Sequence, residues 1–429
     1  MGCQMNEYDS DHLAQLLQSR DFLPIEDPSK ADLILINTCT VRAKAEQKAY
    51  SLLGRMIGLK KRKPRLIVGL MGCIAQEKGF DVLARFPGLD FALGTKEIGN
   101  AAEIIDKIER EGGRAVATDL AHPSTFHPIK PGYFAANVKS FVTIMEGCDN
   151  FCSYCIVPHV RGRELSRPPE DIVKEIEALT AEGVREVTLL GQNVNSYRCD
   201  PREGSGFPSL LRKINRLDGI LRIRFTTSHP KDLSDDLIQC FNDLDKLCPH
   251  IHLPFQAGSN KVLKAMRRGY TREHYIELTR KLRAVRSDIA ITSDVMVGFP
   301  SETEQDFDQT LDLVANIGFD NLYSFRYSDR NGTLAAKMDP KISESEKAAR
   351  LFTLQRFQKA ITLQKHQNLV GSTTEVLVEG ESKKGGRFTG RTGTNKVVNF
   401  SCDYRMIGYL IKLRIKDAFA HSLSGDIII

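Results

Sequence analysis

The sequence predicts an α/β chain in three parts: an open N-terminal α/β sheet domain, a central partial barrel of six β/α units, and a small C-terminal antiparallel β-barrel. Three observations predict this. Apolar β-type runs alternate with helix-length amphipathic stretches through most of the chain, the pattern of parallel strands joined by crossover helices. The chain's 429 residues, 41% of them apolar, exceed the roughly 250 to 300 residues that one core organises. From Gln367 onward the pattern changes to short β-type runs separated by glycine-rich turns, which suits a small antiparallel barrel.

In the first part, 1–121, the runs Leu33 to Asn37 and Leu66 to Leu70 read as buried parallel strands separated by a helix over Ala43 to Leu59. A Pro- and His-containing segment over 122–132 breaks the periodicity and reads as a linker. The second part, 134–366, holds six β-type runs: Phe141 to Met145, Glu186 to Leu190, Ile223 to Thr226, Ile251 to Leu253, Ala290 to Val297 and Asn321 to Phe325. Amphipathic stretches such as Pro169 to Ala181, Thr271 to Arg286 and Glu304 to Ile317 lie between them. Six units are two short of a closed eight-unit barrel, so an open barrel is expected. A long helical pattern over Ser343 to Gln367 ends this part. The third, 367–429, carries turns at Gly380, Gly385, Gly386, Gly390 and Gly393, with nine Lys and Arg against six Asp and Glu. Its net +3 suits an RNA-binding appendage or, equally simply, a mildly charged solvated β-domain.

The whole chain carries a formal charge of +6, whose sign favours a polyanionic partner over a purely metabolic substrate. No stretch approaches the roughly 18 apolar residues of a membrane span, and Met1 to Asn6 has no signal-type character. A cytoplasmic protein with no membrane partner is expected. Ten cysteines in such a chain point to metal or redox chemistry rather than a disulfide framework.

Cys148, Cys152 and Cys155 form CxxxCxxC just after a predicted strand, with Tyr154 before the third cysteine. Three thiolates on one loop can hold three irons of a [4Fe–4S] cube and leave the fourth open. An open iron can chelate S-adenosylmethionine, whose reductive cleavage yields an adenosyl radical. The competing reading, a zinc knuckle, has no fourth ligand at usual spacing, although His159 lies four residues on. Cys39 and Cys73 each end a predicted parallel strand, and Cys3 opens a helix-like segment. Ligands collect at the carboxyl edge of an open α/β sheet, so these three can converge on a second cluster; singly, each also fits an ordinary buried thiol. Cys199, Cys240, Cys248 and Cys402 show no such arrangement and read as structural.

Gln192 and Asn193 follow the second barrel strand, Ser228 lies near the end of the third, Gln256 follows the fourth and Asp294 lies within the fifth. Polar residues there face a barrel's active-site mouth and suit the ribose and methionyl groups of the cofactor, structural capping being the plainer alternative. Arg268 suits the methionyl carboxylate or a helix surface. Val295 to Pro300 fits packing around an adenine or a plain strand and turn. Arg161, Arg163 and Arg167 are placed to grip phosphates or to be solvated. The run Lys60-Lys61-Arg62-Lys63 with Arg65 reads as a solvated loop or an RNA contact.

The motifs Gly2-Cys3-Gln4-Met5-Asn6, Asn37-Thr38-Cys39 and Gly72-Cys73, the CxxxCxxC loop, and Arg161-Gly162-Arg163-Glu164 carry a resemblance. So do Gly191-Gln192-Asn193-Val194-Asn195-Ser196-Tyr197, His252-Leu253-Pro254-Phe255-Gln256-Ala257-Gly258-Ser259, Met266-Arg267-Arg268-Gly269 and Asp294 to Thr303. The chain resembles the radical S-adenosylmethionine methylthiotransferase family over essentially its whole length. Its tail from Val370 to about Ile428 resembles a TRAM domain, and Gln4-Met5-Asn6, Gly191 to Tyr197 and Gly390-Arg391-Thr392-Gly393-Thr394-Asn395 are most similar to the MiaB type, the tRNA 2-methylthio-N6-dimethylallyladenosine synthases. The resemblance implies two [4Fe–4S] clusters, with Cys3, Cys39 and Cys73 as ligands of the sulfur-delivering one and Cys148, Cys152 and Cys155 of the other. It implies S-adenosylmethionine near Tyr154, Gln192, Asn193, Ser228, Gln256, Arg268 and Asp294. It also implies a tRNA anticodon loop carrying isopentenyladenosine as substrate, a reductant such as flavodoxin or ferredoxin, and a monomer. Sister enzymes act on an aspartate of a small-subunit ribosomal protein or on threonylcarbamoyl-adenosine in tRNA. A non-catalytic iron–sulfur RNA-binding protein is the reading from another class. Family members usually carry a strand before the first cysteine, where this sequence has only Met1 and Gly2; a shortened gene model or start-site choice is expected.

Overall fold

The computed structural model describes residues 3–40, 43–121, 138–200, 206–382 and 385–428; the expected linker over 122–132 lies outside them. The chain forms two compact units: the N-terminal part together with Glu146–Asp149 and Cys155–Leu165, and the rest.

The N-terminal unit contains α1 (Gln4–Gln18), β1 (Leu33–Thr38), α2 (Ala43–Gly58), β2 (Ile67–Gly72), α3 (Cys73–Arg85), β3 (Phe91–Leu93), α4 (Ala101–Glu111) and β4 (Ala115–Ala117). Its four strands pair in parallel in the order β1-β2-β3-β4. β2 is buried at every position, which explains why its sequence is apolar throughout rather than alternating. Cores form on both faces: Val68, Leu70 and Ile74 with Leu53, and Met71, Phe91 and Leu93 with Leu13 and Ile105. Gly69 is needed where Phe91 crosses, since a Cβ there would lie 2.4 Å from that ring. The sequence reading found β1, β2 and α2 and missed β3 and β4, three-residue strands too short to show a period.

Further along come β5 (Lys139–Thr143), β6 (Met145–Glu146), α5 (Val157–Arg161), β7 (Leu165–Ser166), α6 (Pro169–Ala181), β8 (Glu186–Leu190), α7 (Phe207–Asn215) and β9 (Arg222–Phe225). They are followed by α8 (Asp235–Asp243), β10 (His250–His252), α9 (Asn260–Ala265), α10 (Arg272–Val285), β11 (Ala290–Val297), α11 (Glu304–Ile317), β12 (Asn321–Arg326) and α12 (Glu344–Gln367). The six expected barrel strands are present and parallel, and they form two three-stranded sheets, β5-β8-β9 and β10-β11-β12. Between β9 and β10 the ladder gives way to an isolated bridge from Ile223 to Leu247. Helix starts follow capping chemistry: Ser259, Thr271, Thr303 and Ser343 each accept a backbone N–H of the first turn.

The C-terminal strands β13 (Thr373–Glu381), β14 (Phe388–Thr392), β15 (Val397–Phe400), β16 (Leu410–Ala418) and β17 (Leu423–Ile427) close a barrel in the order β13-β14-β15-β17-β16. One pair departs from the antiparallel expectation: β17 runs parallel to β15, because β16 pairs with β13 and its return strand must fill the remaining gap. The turn after β14 docks on the amino-terminal end of the larger barrel. Arg222 Nη1 donates to Arg391 O at 2.5 Å, and Arg224 donates to Thr392 O at 2.8 Å and to Gly393 O at 2.9 Å. Lys396 pairs with Asp320 at 2.9 Å.

Candidate functional site

In the N-terminal unit the three dispersed cysteines are gathered where β1 and β2 end. Cys3 caps α1, Cys39 follows β1 and Cys73 begins α3 directly after β2. Two asparagines clasp these ends together. Asn6 Nδ2 donates to Asn37 Oδ1 at 2.8 Å and to Thr38 O at 3.0 Å, while Asn37 Nδ2 donates back to Asn6 O at 2.7 Å. Asn6 Oδ1 accepts from Cys3 N at 3.3 Å and from its thiol at 3.2 Å. Thr38 Oγ1 donates to Met71 O at 2.6 Å, tying the β1 end to β2. Gly72 has φ +89, and a Cβ there would stand 2.5 Å from both Asn37 Oδ1 and Thr38 O, so the residue before Cys73 must be glycine.

A buried charge faces this cluster of thiols. Arg161, 5% exposed, donates through Nη2 to Asp9 Oδ2 at 2.7 Å. Burial works against its charge, and Asp9, Cys73 and Glu146 more than restore it. The Cys3 thiol, hydrogen-bonded with Cys39 and drawn further down by Arg161, falls to about 6. Burial raises the Cys73 thiol, and Arg161 opposes that. Two of the three thiols thus feel a fixed positive charge, which favours their thiolate form. Among the described residues no three His, Cys, Asp or Glu side chains are close enough to share one metal ion.

The local cysteine motif is held at several points. Cys148 N donates to Gly162 O at 3.2 Å, and Gly147, φ +77, passes so close that a Cβ would lie 1.9 Å from Arg163 O. Cys73, Ile156 and Val160 pack together. Within the larger unit, Ser153 N donates to Met266 O at 3.0 Å and Ser153 O accepts from Ala335 N at 2.8 Å. Arg268 stands 3.5 Å from both Cys152 Sγ and Tyr154 Oη through Nη1, and donates to Pro254 O at 2.8 Å and Tyr270 Oη at 3.2 Å. At 5% exposure it is no surface arginine.

Of the polar residues expected at the carboxyl ends of the barrel strands, Asn193 and Ser228 follow strands of the β5-β8-β9 sheet, and Gln256 and Asp294 belong with the β10-β11-β12 sheet. Asn193 donates to Asp232 at 2.7 Å, and Val194 N donates to Thr227 O, joining the β8 and β9 ends. Gln256, φ +66, takes Asp294 O through its N–H at 3.0 Å and gives its own carbonyl to Met296 N at 2.9 Å. Among the described residues, Asn193 Oδ1, Asn195 Oδ1, Ser228 Oγ and His229 Nε2 are buried with no hydrogen-bond partner in the protein, an arrangement that leaves them available to water or a polar ligand. Sequence reasoning missed His229, which neighbours Ser228 but belongs to no apolar run. Its Nδ1 accepts from Lys231 N at 3.2 Å, so the neutral ring carries its proton on Nε2, the unpaired atom. Burial, with Arg268 and Lys231 nearby, lowers its pKa to about 2, and its ring meets Tyr270 edge-on at 5.7 Å.

Two of the three arginines read as phosphate-gripping are corrected. Arg161 pairs with Asp9, and Arg167, 0% exposed, pairs with Glu175 at 2.7 Å and donates to Thr143 O. Only Arg163, with a 74% exposed side chain, reaches solvent. In the basic run, Lys60 forms a partly buried pair with Asp90 and Lys63 pairs with Asp32. Cys199 is exposed, Cys240 and Cys248 are buried, and Cys402 is half-buried.

Three family models match: the radical SAM superfamily over 142–314, an uncharacterized family, UPF0004, over 1–94, and the TRAM domain over 367–428. Among curated proteins, the tRNA-2-methylthio-N(6)-dimethylallyladenosine synthase of Syntrophus aciditrophicus is 51% identical, covering 100% of this chain and 93% of that one. The protein of the same name from Syntrophobacter fumaroxidans is 48% identical, over 100% and 94%. Among solved structures, the radical S-adenosylmethionine methyltransferase TsrM from Kitasatospora setae, with cobalamin and a [4Fe-4S] cluster bound, matches with a TM-score of 0.57 at 17% identity. That match covers 77% of this chain and 71% of that one. The cobalamin-dependent radical enzyme OxsB matches with a TM-score of 0.52 at 13% identity, over 82% and 53%. These two likenesses are of fold. No described helix is long and apolar enough to cross a membrane.

Proposed function

Since the chain belongs to the tRNA-2-methylthio-N(6)-dimethylallyladenosine synthase family, we propose that it is a radical S-adenosylmethionine methylthiotransferase that converts N6-isopentenyladenosine beside a tRNA anticodon into its 2-methylthio derivative. The observation that carries this reading is the gathering of Cys3, Cys39 and Cys73 at one sheet edge, around a buried arginine, in a chain that also has a complete CxxxCxxC loop. One three-cysteine site suffices to start a radical; a second, independent one suits delivery of sulfur.

In this reading Cys148, Cys152 and Cys155 hold one [4Fe–4S] cluster and Cys3, Cys39 and Cys73 the other. The bound groups supply the electron that cleaves S-adenosylmethionine and the sulfur that replaces hydrogen at adenine C2. The chain's own groups do the holding. Asn193, Ser228 and His229 offer the buried unpaired polar atoms for the cofactor's ribose and methionyl groups, joined by Gln192, Gln256 and Asp294 on neighbouring strand ends. Arg268 keeps a fixed positive charge against Cys152 and orients Tyr154. Lys412, Arg414 and Lys416 alternate outward along β16, a row that suits RNA phosphates. The protein acts as a cytoplasmic monomer served by a flavodoxin- or ferredoxin-type reductant.

Anaerobic reconstitution with iron and sulfide, followed by single-turnover assay on isopentenylated tRNA, tests the reading. Nucleoside mass spectrometry should show the methylthio product. S-adenosylmethionine cleavage with two intact clusters and no product would overturn it in favour of the ribosomal-protein aspartate or threonylcarbamoyl-adenosine.

A further inference from the structure

The inner face of β12 carries an aromatic ring that the reading above leaves unused. Ser324 turns outward to α12, where Gln355 Nε2 donates to its hydroxyl at 3.2 Å; alternation then turns Tyr323 and Phe325 into the barrel. The parallel register sets Tyr323 beside Asp294 and Phe325 beside Met296. The residues flanking Asp294 on β11, Ser293 and Val295, are fully buried on the other side of the sheet, which fixes Asp294 on the inner face too.

His252 completes the group. Its Nε2 lies 3.5 Å from Asp294 Oδ2, its Nδ1 lies 3.1 Å from Thr292 Oγ1, and its ring meets that of Tyr323 edge-on at 5.7 Å. Tyr323 is therefore braced along one edge, yet it remains 48% exposed on the inward face of a strand. Such a position normally buries its ring, and an aromatic face left open in a concave site suits stacking by another flat ring. The site is continuous with the strand-end edge, because the peptide of Asp294 bonds that of Gln256.

We propose that Tyr323, braced by His252 and Asp294, is the platform on which the target adenine stacks once it leaves the anticodon loop. Half-buried Phe325 and Met296 on the same face receive the apolar N6 substituent. The proposal rests on the methylthiotransferase reading and assigns its base-binding site. Tyr323 is a positioning residue: no proton or electron passes through it. A nucleobase fits better than a peptide aspartate, since the exposed feature is a π-face with a carboxylate beside it, which would repel a second carboxylate.

The test uses the full-length reconstituted enzyme and two end-labelled anticodon stem-loops, one with isopentenyladenosine at the target position and one abasic there, with binding read by fluorescence anisotropy. Tyr323→Ala should weaken binding of the first by about tenfold or more and leave the abasic RNA unchanged. Tyr323→Phe should restore the wild-type difference, and Tyr323→Leu, with similar bulk but no π-face, should not. Equal losses on both RNAs, or rescue by leucine, would reduce Tyr323 to packing and overturn the proposal. Should the alanine variant misfold, the Phe and Leu pair decides alone. The methylthiotransferase reading is judged separately by whether the wild type modifies the isopentenylated stem-loop.

Discussion

Cys148, Cys152 and Cys155 share one short loop, whereas Cys3, Cys39 and Cys73 are scattered over the N-terminal part and meet only after β1 and β2 have paired. The loop brings its thiols together by chain connectivity. The sheet edge brings its thiols together by tertiary structure: the Asn6–Asn37 clasp, the Thr38 bond to Met71, the close passage at Gly72 and the buried Arg161–Asp9 pair. The difference implies that the second site is the more vulnerable to mutations that touch no ligand.

The largest expected effect comes from Arg161→Leu, which leaves Asp9 buried without its partner and removes the fixed charge facing Cys73. It should destabilise the N-terminal unit by about 3 to 5 kcal/mol and lower iron content, as thermal unfolding and iron analysis would show. His229 gives a test in the other unit. Its folded pKa, about 2, lies below the ordinary 6.5, so the unfolded chain binds more protons and stability falls as pH drops below 6.5. Between pH 6.5 and 5 the wild type should lose about 2 kcal/mol that His229→Asn retains, measured by denaturant unfolding at each pH.

Asn37→Ala removes one of the two acceptors of the Asn6 amide and the bond back to Asn6 O, and should cost about 1 to 3 kcal/mol, with loss of the N-terminal cluster's spectroscopic signal while S-adenosylmethionine cleavage persists. Arg163→Ala, at the exposed end of the basic trio, should shift stability by less than about 0.5 kcal/mol. It should instead reduce the salt dependence of tRNA binding by about one phosphate contact.

The same contrast governs what the sequence made legible. CxxxCxxC is visible because its spacing is its geometry, and strands such as β8 and β11 are visible because they are long apolar runs. β3 and β4 are too short for a period, and the break between β9 and β10 is a matter of ladder geometry that no residue pattern records. Arg161 and Arg167 look like Arg163 in sequence, but partners far along the chain or on a following helix bury them. His229 escaped for a similar reason, since its significance lies in an unpaired buried nitrogen rather than in a motif. The Gly390–Asn395 stretch, similar in sequence to an RNA-binding tail, docks its turn on Arg222 and Arg224 instead, leaving the outer row on β16 to face solvent.

The most direct test replaces each triad by alanine in turn and measures iron and S-adenosylmethionine cleavage in the reconstituted full-length proteins. Two independent clusters predict about eight irons in the wild type and about four in either triple variant. The variant lacking Cys3, Cys39 and Cys73 should still form 5′-deoxyadenosine but no methylthio product. Wild-type iron in that variant, or unimpaired methylthiolation without its three thiols, would contradict the assignment of the sheet edge as the second cluster site.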